Sequence, residues 1–348
     1  MSILLSNILC KHWLELLKDN LKSEVIDEFI KKKVNFIYPH YLLNICDTIH
    51  YDTIANNDFE LYQDFIKITN QKEHSVEIFK NLIETFDINK CGKIKLEYNS
   101  NLQKYIVVDG THRLCILLYK NLIKNDISLE HLDITYDETS INKIKMALSN
   151  TTNKRHYNAW HNRTQFGYHS FNIYNINILG QRQPRIRLDI IKKHVDFKNK
   201  VVVDFGCNTG GMLHHIPEIK TGYGLDYSSE CINSANVIKN VLNYNNTLNF
   251  IVQDLNTFNF ENFNKNYKIK NIDYIFLLSL GSWVKNWKVL YQKSFEYSNN
   301  IILETNNDTE GRPQLLFFKN LGANIKLLSN SSNDDTTKNY GRKTYLIN

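Results

Sequence analysis

A strand-like run followed closely by three glycines constrains the fold of this chain more than any other feature. Residues 201–203 are three valines, a run typical of a strand that is buried on both faces of a sheet. Asp204 ends the run, and Gly206, Gly210 and Gly211 follow it. Glycine at this density predicts a turn in which the backbone adopts positive φ or lies against a bulky neighbour.

The residues after the turn continue the pattern of a nucleotide-binding sheet. Residues 212–216 begin a predicted helix that Pro217 ends, and residues 223–225 form a second short strand. Asp226 closes this strand about twenty residues after the first acid, a position from which a carboxylate accepts the hydroxyls of a ribose. The order of strand, glycine turn, helix, strand and acid therefore predicts a ligand at the carboxyl edge of a doubly wound sheet.

This turn resembles the first motif of the class I S-adenosylmethionine-dependent methyltransferases, in which an acid and a glycine precede small residues that end in glycine. Asp204, Gly206, Asn208 and Gly210 match that motif. Asn208 departs from the glycine of many members, but asparagine also enters the left-handed region readily. No Gly-Lys-Ser/Thr follows as in a P-loop, and the Gly-x-Gly-x-x-Gly spacing of NAD-binding turns is not met. A doubly wound domain that binds another nucleotide is the alternative.

The resemblance implies an α/β fold, a Rossmann-like class I methyltransferase domain with a seven-stranded sheet over residues 191–348, and S-adenosylmethionine as the cofactor. Further strands are expected at residues 248–252, 272–278 and 301–304, and residues 325–328 and 344–347 are expected to close the sheet as an antiparallel pair. The implied cofactor-binding residues are Asp204, Gly206, Cys207, Asn208, Gly210, Asp226, Tyr227, Gln253, Asp254 and Ser279.

The N-terminal half is expected to hold two further parts. Residues 1–50 carry apolar residues at helical spacing, which predicts a pair of packed helices, with a helix that binds a partner as the alternative. Residues 51–142 read as a smaller α+β domain, with a helix over 75–86 and a strand pair at 94–98 and 105–108. A connector and substrate lid comes next, over residues 143–190.

The strand pair leads directly into Asp109-Gly110-Thr111-His112-Arg113, which opens a helix that runs to Tyr119. Backbone N–H groups, a histidine and an arginine at a helix N-terminus form an anion site. The motif resembles the ParB/sulfiredoxin-like domain, in which the corresponding loop often binds a nucleotide phosphate. Two alternatives stay open: Asp109 acts as the base of a phosphotransferase, or Asp109 caps the helix and pairs with Arg113.

The lid segment is rich in aromatic and hydrogen-bonding side chains just before the cofactor domain. Such a segment often covers the cofactor in this superfamily, although a polar network between domains is the alternative for each residue. Including Trp283, which is expected to cover the cofactor or the acceptor, the candidate substrate-binding residues are Tyr168, Gln181, Arg182, Trp283, Asp109, His112 and Arg113.

Methyl transfer to a hydroxyl requires an aligned acceptor and a group that removes its proton. Histidine is the natural base near neutral pH, and position favours His169, followed by His161. Glu304 lies after the fifth predicted strand, at the edge where substrates bind, and is the rival base. His214 and His215 are expected to pack or to lie on the side of the cofactor. No cluster of ligand residues has the spacing of a metal site.

Composition bounds the remaining classes. The 348 residues carry a net charge of +6, which permits nucleic-acid binding without requiring it. The six cysteines have neither disulfide nor zinc spacing, and no apolar run approaches the ~20 residues of a membrane span, so we expect a cytoplasmic location without a membrane partner.

The residues just after the fourth strand bear on the identity of the acceptor. Leu280-Gly281-Ser282-Trp283 stands where enzymes that methylate planar amines have Asn/Asp-Pro-Pro-aromatic. A polar lid suits a small polar acceptor, so the leading hypothesis is O- or N-methylation of a sugar or nucleotide-sugar in glycan biosynthesis. The alternatives are an RNA methyltransferase whose N-terminal half binds RNA, and a non-catalytic regulator that binds the cofactor.

Overall fold

The chain divides into two compact units, Ser2–Glu138 and Thr139–Asn348. Its structure, a computed structural model, describes residues 2–13, 35–37, 40–69, 74–151, 167–243, 247–306, 308–331, 334 and 342–348. Among these residues no helix is long and apolar enough to cross a membrane.

The N-terminal unit is built on a mixed sheet of six strands in the order β3-β4-β2-β6-β5-β8, beside an antiparallel pair of β1 and β7. Its strands are β1 (Ser2–Leu4), β2 (Ile8–Trp13), β3 (Asn35–Ile37), β4 (His40–Leu43), β5 (Ile94–Asn99), β6 (Lys104–Asp109), β7 (Asp126–Ser128) and β8 (Leu132–Tyr136). Its helices are α1 (Ile49–Asn56), α2 (Phe59–Thr69), α3 (Val76–Thr85) and α4 (Thr111–Tyr119). The unit is therefore a smaller α+β domain.

The sequence predicted a pair of helices over residues 1–50. This prediction is wrong for the described residues up to residue 43, which form strands and one short 3₁₀ turn. Ile8–Trp13 is a strand, and its residues Ile8, Leu9 and Cys10 pair in parallel with β6 and are buried. A short apolar run does not distinguish a buried strand from a buried helix, and here pairing with a distant strand decided the outcome. Residues 14–34, which carried most of the helical spacing, lie outside the described residues.

The helix predicted over residues 75–86, the strand pair at 94–98 and 105–108 and the helix that ends at Tyr119 are confirmed. Helix α3 begins after Ser75, whose hydroxyl accepts the backbone N–H of Ile78 as an N-cap. Strands β5 and β6 pair antiparallel, and helix α4 follows β6 directly after Gly110. This order brings the loop from Asp109 to Arg113 to the N-terminus of a helix.

The C-terminal unit contains the larger sheet. Its strands are β9 (Phe171–Ile173), β10 (Ile176–Ile178), β11 (Val201–Phe205), β12 (Thr221–Asp226), β13 (Thr247–Val252), β14 (Ile272–Leu278), β15 (Ser298–Glu304), β16 (Ile325–Ser329) and β17 (Thr344–Ile347). Its helices are α5 (Glu138–Asn150), α6 (Pro184–Ile191), α7 (Gly211–His214), α8 (Ser229–Leu242), α9 (Phe260–Tyr267), α10 (Trp287–Tyr297) and α11 (Asp308–Asn320). Helix α5 begins at the boundary between the two units.

The seven-stranded sheet has the order β13-β12-β11-β14-β15-β17-β16. Strands β11 to β15 run parallel, whereas β17 is antiparallel to both of its neighbours. This order, with a reversed last strand inserted between the fifth and the sixth, is the class I methyltransferase fold expected from the resemblance. The antiparallel pair predicted at the end of the chain is confirmed.

The sheet is buried on both faces because its central strands are apolar in both alternating positions. In β14, Tyr274 and Phe276 pack into one core, while Ile275 and Leu277 pack into the core on the opposite face. Parallel strands that are covered on both sides leave only their ends accessible. Their carboxyl ends lie at one edge, where Asp204, Asp226 and Glu304 are brought together.

Candidate functional site

The glycine turn after β11 is a tight loop with several left-handed residues. Gly206, Asn208 and Gly210 have φ of 75°, 51° and 72°. The backbone N–H groups of Gly206 and Cys207 both donate to the carbonyl of Leu225, at 2.8 and 3.1 Å, and so fasten the turn to β12. The left-handed Asn208 is what the sequence motif predicted.

Close packing beneath the turn explains why glycine is required there. A Cβ on Gly210 would lie 2.4 Å from the Phe250 ring, and a Cβ on Gly211 would lie 2.5 Å from the His169 ring. Both distances are far inside van der Waals contact. The turn is therefore packed closely against aromatic side chains, and its accessible surface lies at Gly206 and Asn208.

Asp226 lies at the end of β12 and holds the turn from the side. One carboxylate oxygen accepts the N–H of Asn208 at 2.9 Å, and the other accepts the N–H of Ser228 at 2.9 Å. Burial raises the pKa of Asp226, while these backbone donors lower it. A carboxylate offers about four acceptor positions, so the group keeps capacity for a further donor such as a ribose hydroxyl.

Asp204, at the end of β11, is buried beside the turn. Burial raises the pKa of its carboxyl to about 8, against the lowering effect of the Arg187 guanidinium. Asp226 raises it further because like charges repel. At neutral pH this acid is therefore largely protonated, and a ligand ammonium group would favour its ionised form.

Large apolar side chains are exposed at the same edge. Tyr227 directly follows Asp226 and is 79% exposed, Trp283 is 77% exposed, and Val252 at the end of β13 is 51% exposed. The loops after Trp283 and Val252 are connected, because the backbone N–H of Lys285 donates to the side-chain oxygen of Asn256 at 2.8 Å. Exposed aromatic and aliphatic surface beside a buried acid suits a flat heteroaromatic ring.

The remaining predicted cofactor residues lie in the neighbouring turns. Gln253 is fixed by its N–H, which donates to the carbonyl of Asp226 at 2.8 Å. The Asp254 carboxylate accepts the backbone and side-chain N–H groups of Asn256, so it stabilises its own turn. Cys207 is buried, and burial raises the pKa of its thiol. Cys207 thus fills space inside the glycine turn.

His169 lies beneath the glycine turn and is 4% exposed. Its Nδ1 is 3.3 Å from the hydroxyl of Thr209. Burial lowers the pKa of the imidazole well below its usual value, and the guanidinium groups of Arg187 and Arg182 lower it further. The ring is therefore neutral at physiological pH. His161 lies outside the described residues.

Glu304, the rival base, is fully buried and engaged by several groups. The hydroxyl of Ser279 donates to Oε1 at 2.5 Å, and Nη2 of Arg182 and of Arg187 donate to the same oxygen at 3.1 and 3.2 Å. Nη1 of Arg342 lies 3.8 Å from it. The side chain of Ser279, expected at the cofactor, thus contacts Glu304 instead. Glu304 is thus part of a buried ion cluster.

The predicted lid residues lie in two chain segments that are joined by backbone hydrogen bonds. The N–H of Gln181 donates to the carbonyl of Gly167, and the N–H of Arg182 donates to that of Tyr168, at 3.0 and 2.7 Å. Tyr168 is half-buried and its ring lies 4.9 Å from that of His169. The side chain of Arg182 points into the interior, where it forms ion pairs with residues of the same unit, not a network between domains.

Sequence reasoning missed Arg187, Asp334 and Arg342. Arg187 lies on helix α6 on the same buried face as Leu188 and Ile191. An arginine within the apolar stripe of a short helix signals a buried partner of opposite charge. Asp334 had no such signal, because it lies far along the chain in a polar stretch.

His214 and His215 pack, as the sequence predicted. Nδ1 of His215 donates to the carbonyl of Gly211 at 2.6 Å, which makes Nε2 the acceptor of the N–H of Asn172 at 3.2 Å. Burial lowers the pKa of His215 to about 4 and that of His214 to about 3. Both rings are neutral parts of the scaffold.

In the loop at the start of α4, in the N-terminal unit, the guanidinium group of Arg113 is engaged by neighbouring protein groups. Nη2 of Arg113 donates to Asp109 at 3.0 Å, and Nη1 donates to the carbonyls of Gly92 and Lys93 at 2.6 and 3.1 Å. The ion pair with Asp109 is the one that the structural alternative expected. Asp109 does not cap the helix, because Gly110 occupies the N-cap position without a side-chain bond.

His112, the other polar residue of this loop, is also satisfied internally. Its Nε2 lies 2.5 Å from the hydroxyl of Tyr62, and its ring lies 4.9 Å from that of His74. Burial lowers the pKa of His112 to about 4, with further lowering by His74 and Arg113. Within the described part of the chain, no group of three or more potential ligand side chains is arranged to hold a metal ion.

Comparison with known proteins gives a likeness at the level of structure alone. No protein-family model matches the chain, and no curated protein matches it. The N-terminal domain of EvdMO1, solved in the presence of SAH and D-fucose, is 12% identical over 59% of this chain and 95% of that chain, with a TM-score of 0.41.

Two further solved structures are methyltransferases. The magnesium protoporphyrin IX methyltransferase of Synechocystis with bound SAM is 15% identical over 47% of this chain and 76% of that chain, with a TM-score of 0.35. An S-adenosylmethionine-dependent methyltransferase from Clostridium acetobutylicum is 13% identical over 47% of this chain and 89% of that chain, with a TM-score of 0.36. At these identities the likeness concerns the fold alone.

Proposed function

We propose that the C-terminal unit binds S-adenosylmethionine and transfers its methyl group to a small polar acceptor. The observation that carries this proposal is the glycine turn after β11, with Asp226 at the end of the adjacent strand, in a sheet with the strand order of the class I methyltransferases. The turn, the acid and the edge occur together at the place where ligands of doubly wound sheets bind.

The residues present fit this cofactor. Because Gly210 and Gly211 have no side chains, the turn packs closely against Phe250 and His169, and a nucleoside can approach its backbone. Asp226 accepts ribose hydroxyls, and exposed Tyr227 offers a face to the adenine. Asp204 faces the α-ammonium of the methionine moiety, whose positive charge the ionised carboxylate balances. When bound, the sulfonium supplies an electrophilic methyl group.

The protein's own contribution to transfer is to orient the acceptor and to take its proton. We propose His169 as the base, because its ring packs directly against the glycine turn at Gly211. Thr209 contacts Nδ1 and orients the ring. Glu304 is committed to Ser279 and two arginines, and we assign it a positioning role instead.

We propose a sugar or nucleotide-sugar as the acceptor. Trp283 exposes its ring at the edge, and an aromatic face binds the C–H face of a sugar. Ser282 and Asn306, which hydrogen-bond to each other, place hydroxyl and amide groups beside it. We also propose that residues 51–142 form the ParB/sulfiredoxin-like domain, supported by the strand, glycine and helix order at Asp109 to Tyr119.

The test is transfer of labelled methyl from S-adenosylmethionine, with a panel of nucleotide-sugars and total RNA assayed in parallel. We expect label in a sugar and none with Asp226→Ala, while Asp64→Ala, which removes an exposed surface carboxylate, stays active. Label in RNA would instead support the RNA methyltransferase. Cofactor binding without transfer to any acceptor would support the regulator.

Arg113→Ala tests the role of the N-terminal loop in the same assay. If the loop holds the diphosphate of the acceptor, the variant raises KM for the nucleotide-sugar and leaves the affinity for the cofactor unchanged. An unchanged KM would contradict that role and would agree with the occupied guanidinium seen in the structure.

A further inference from the structure

Four charged side chains are buried together at the carboxyl end of β15. The side chains of Arg182 and Arg187 are 1% and 5% exposed, and those of Glu304 and Asp334 are 0% exposed. The cluster lies next to the glycine turn, because the backbone of Arg182 forms a β-bridge with that of His169, and the ring of His169 packs against Gly211. It therefore borders the candidate site.

The two carboxylates of this cluster are held in different ways. Glu304 receives hydrogen bonds from Ser279 and from both arginines at its Oε1. The oxygens of Asp334 lie at similar distances, with Oδ1 2.9 Å from Nη2 of Arg182 and Oδ2 2.8 Å from Nη2 of Arg187. Both oxygens of Asp334 are thus engaged by guanidinium groups, whereas Glu304 also accepts a hydrogen bond from the hydroxyl of Ser279.

Charge balance makes the position of Asp334 a place for an anion. Without its carboxylate, the guanidinium groups of Arg182, Arg187 and Arg342 would face Glu304 alone, and a buried net positive charge is costly. Two guanidinium groups that converge on one carboxylate form the arrangement that proteins use for carboxylate and phosphate ligands. Any group that replaces Asp334 must therefore be an anion.

We infer that Arg182 and Arg187 form an anion-binding site that Asp334 fills in this conformation, and that a carboxylate or phosphate group of the methyl acceptor displaces it. The identity of the ligand as the acceptor rests on the proposed function. The anion site itself does not, since its occupancy is measured without methyl transfer.

Amide hydrogen exchange in the full-length protein tests the displacement. The N–H of Gln183 donates to the carbonyl of Asp334 at 2.8 Å, whereas the neighbouring N–H of Arg182 donates to Tyr168. Because Asp334 is fully buried, its carboxylate leaves only when the residue moves. Inorganic phosphate or acetate should therefore accelerate exchange at Gln183 on the order of tenfold over sodium chloride of equal ionic strength, with Arg182 N–H as the unchanged reference.

Removal of the Asp334 carboxylate tests whether the site binds an external anion. Asp334→Ala removes the internal anion, so inorganic phosphate should bind this variant on the order of tenfold more tightly than it binds the wild-type protein. Asp64→Ala, which removes an exposed carboxylate paired with Lys67, should bind phosphate as the wild type does. Calorimetric titration measures all three proteins.

Two outcomes would overturn the inference. If phosphate and acetate leave Gln183 unchanged and Asp334→Ala gains no affinity, the cluster is a structural ion network only. If S-adenosylmethionine alone accelerates exchange at Gln183, the displacing carboxylate is that of the cofactor and the acceptor assignment is wrong. Failure of methyl transfer with every acceptor would leave both measurements intact and would count against the proposed function instead.

Discussion

Two turns in this molecule have the same order of strand, left-handed glycine and helix. They differ in how their polar side chains are engaged. In the N-terminal unit, Gly110 precedes helix α4 with φ of 102°, and in the C-terminal unit Gly210 precedes helix α7 with φ of 72°. Around Gly110 the arginine and histidine are engaged by Asp109, backbone carbonyls and Tyr62. Around Gly210 the polar groups only fasten the turn, and the adjacent aromatic surface stays exposed.

The difference teaches that a strand, a glycine and a helix N-terminus define where a ligand can bind but not whether the place is free. What decides is the side chains that reach the turn from elsewhere in the fold. At the C-terminal turn, Phe250 and His169 pack against the two glycines, and Gly206 is exposed. At the N-terminal turn, Arg113 folds back over its own glycine.

The largest expected effect comes from adding a methyl group to each turn. In Gly210→Ala the new Cβ would meet the Phe250 ring at 2.4 Å, so we expect a loss of about 2–4 kcal/mol in the free energy of unfolding and no cofactor binding. In Gly110→Ala the nearest atom is a guanidinium nitrogen at 3.1 Å that can move, so we expect about 1–2 kcal/mol and unchanged cofactor affinity. Urea unfolding and calorimetry measure both, and equal losses would contradict the comparison.

The next effect comes from neutralising one acid at each turn. Asp226→Asn removes the charge that accepts ribose hydroxyls, and we expect a 10- to 100-fold rise in the cofactor Kd, or about 1.4–2.7 kcal/mol. Asp109→Asn breaks an ion pair whose aspartate side chain is 56% exposed, so we expect less than about 1 kcal/mol in stability and no change in Kd. A comparable rise in Kd for both variants would contradict the comparison.

The smallest effect concerns the acid that lies beside the open turn. The folded-state pKa of Asp204 is about 8, above its ordinary value of 3.8, so the neutral form favours folding. This contribution is complete below about pH 4 and is lost as the pH rises through 8. Asp204→Asn stays neutral, and we expect it to be more stable than the wild-type protein at pH 8 by on the order of 1–2 kcal/mol and equal to it near pH 4, with weaker cofactor binding.

A matched control lies at the opposite edge of the same sheet. Asp273 accepts the N–H of Val201 at 2.9 Å and lies 3.5 Å from Nζ of Lys200, so Asp273→Asn should lower stability at pH 8 instead of raising it. Denaturant unfolding at several pH values checks both variants. A loss of stability in Asp204→Asn at pH 8 would mean that the pKa of this carboxyl is not raised in the folded protein.

Most of the C-terminal unit could be predicted from local patterns. Valine runs, glycine density and the acids after β11 and β12 are signals within a few residues, and the strands lie where these signals indicated. The predicted helices near the N-terminus failed at Ile8–Trp13, because pairing with β6, which lies far along the chain, is a non-local fact. Periodicity records which faces are apolar and carries no information about the partner.

The site divides in the same way. The sequence by itself determined the glycine turn, Asp204 and Asp226, because the turn's backbone conformation and the spacing of the acids are local properties. Only the tertiary structure decided that Glu304 belongs to an ion cluster with Arg182, Arg187 and Asp334, that Ser279 turns toward it, and that Arg113 is engaged by its own loop. Charge pairing acts between residues that are close in space, and the 30 residues that separate Glu304 from Asp334 hide that proximity.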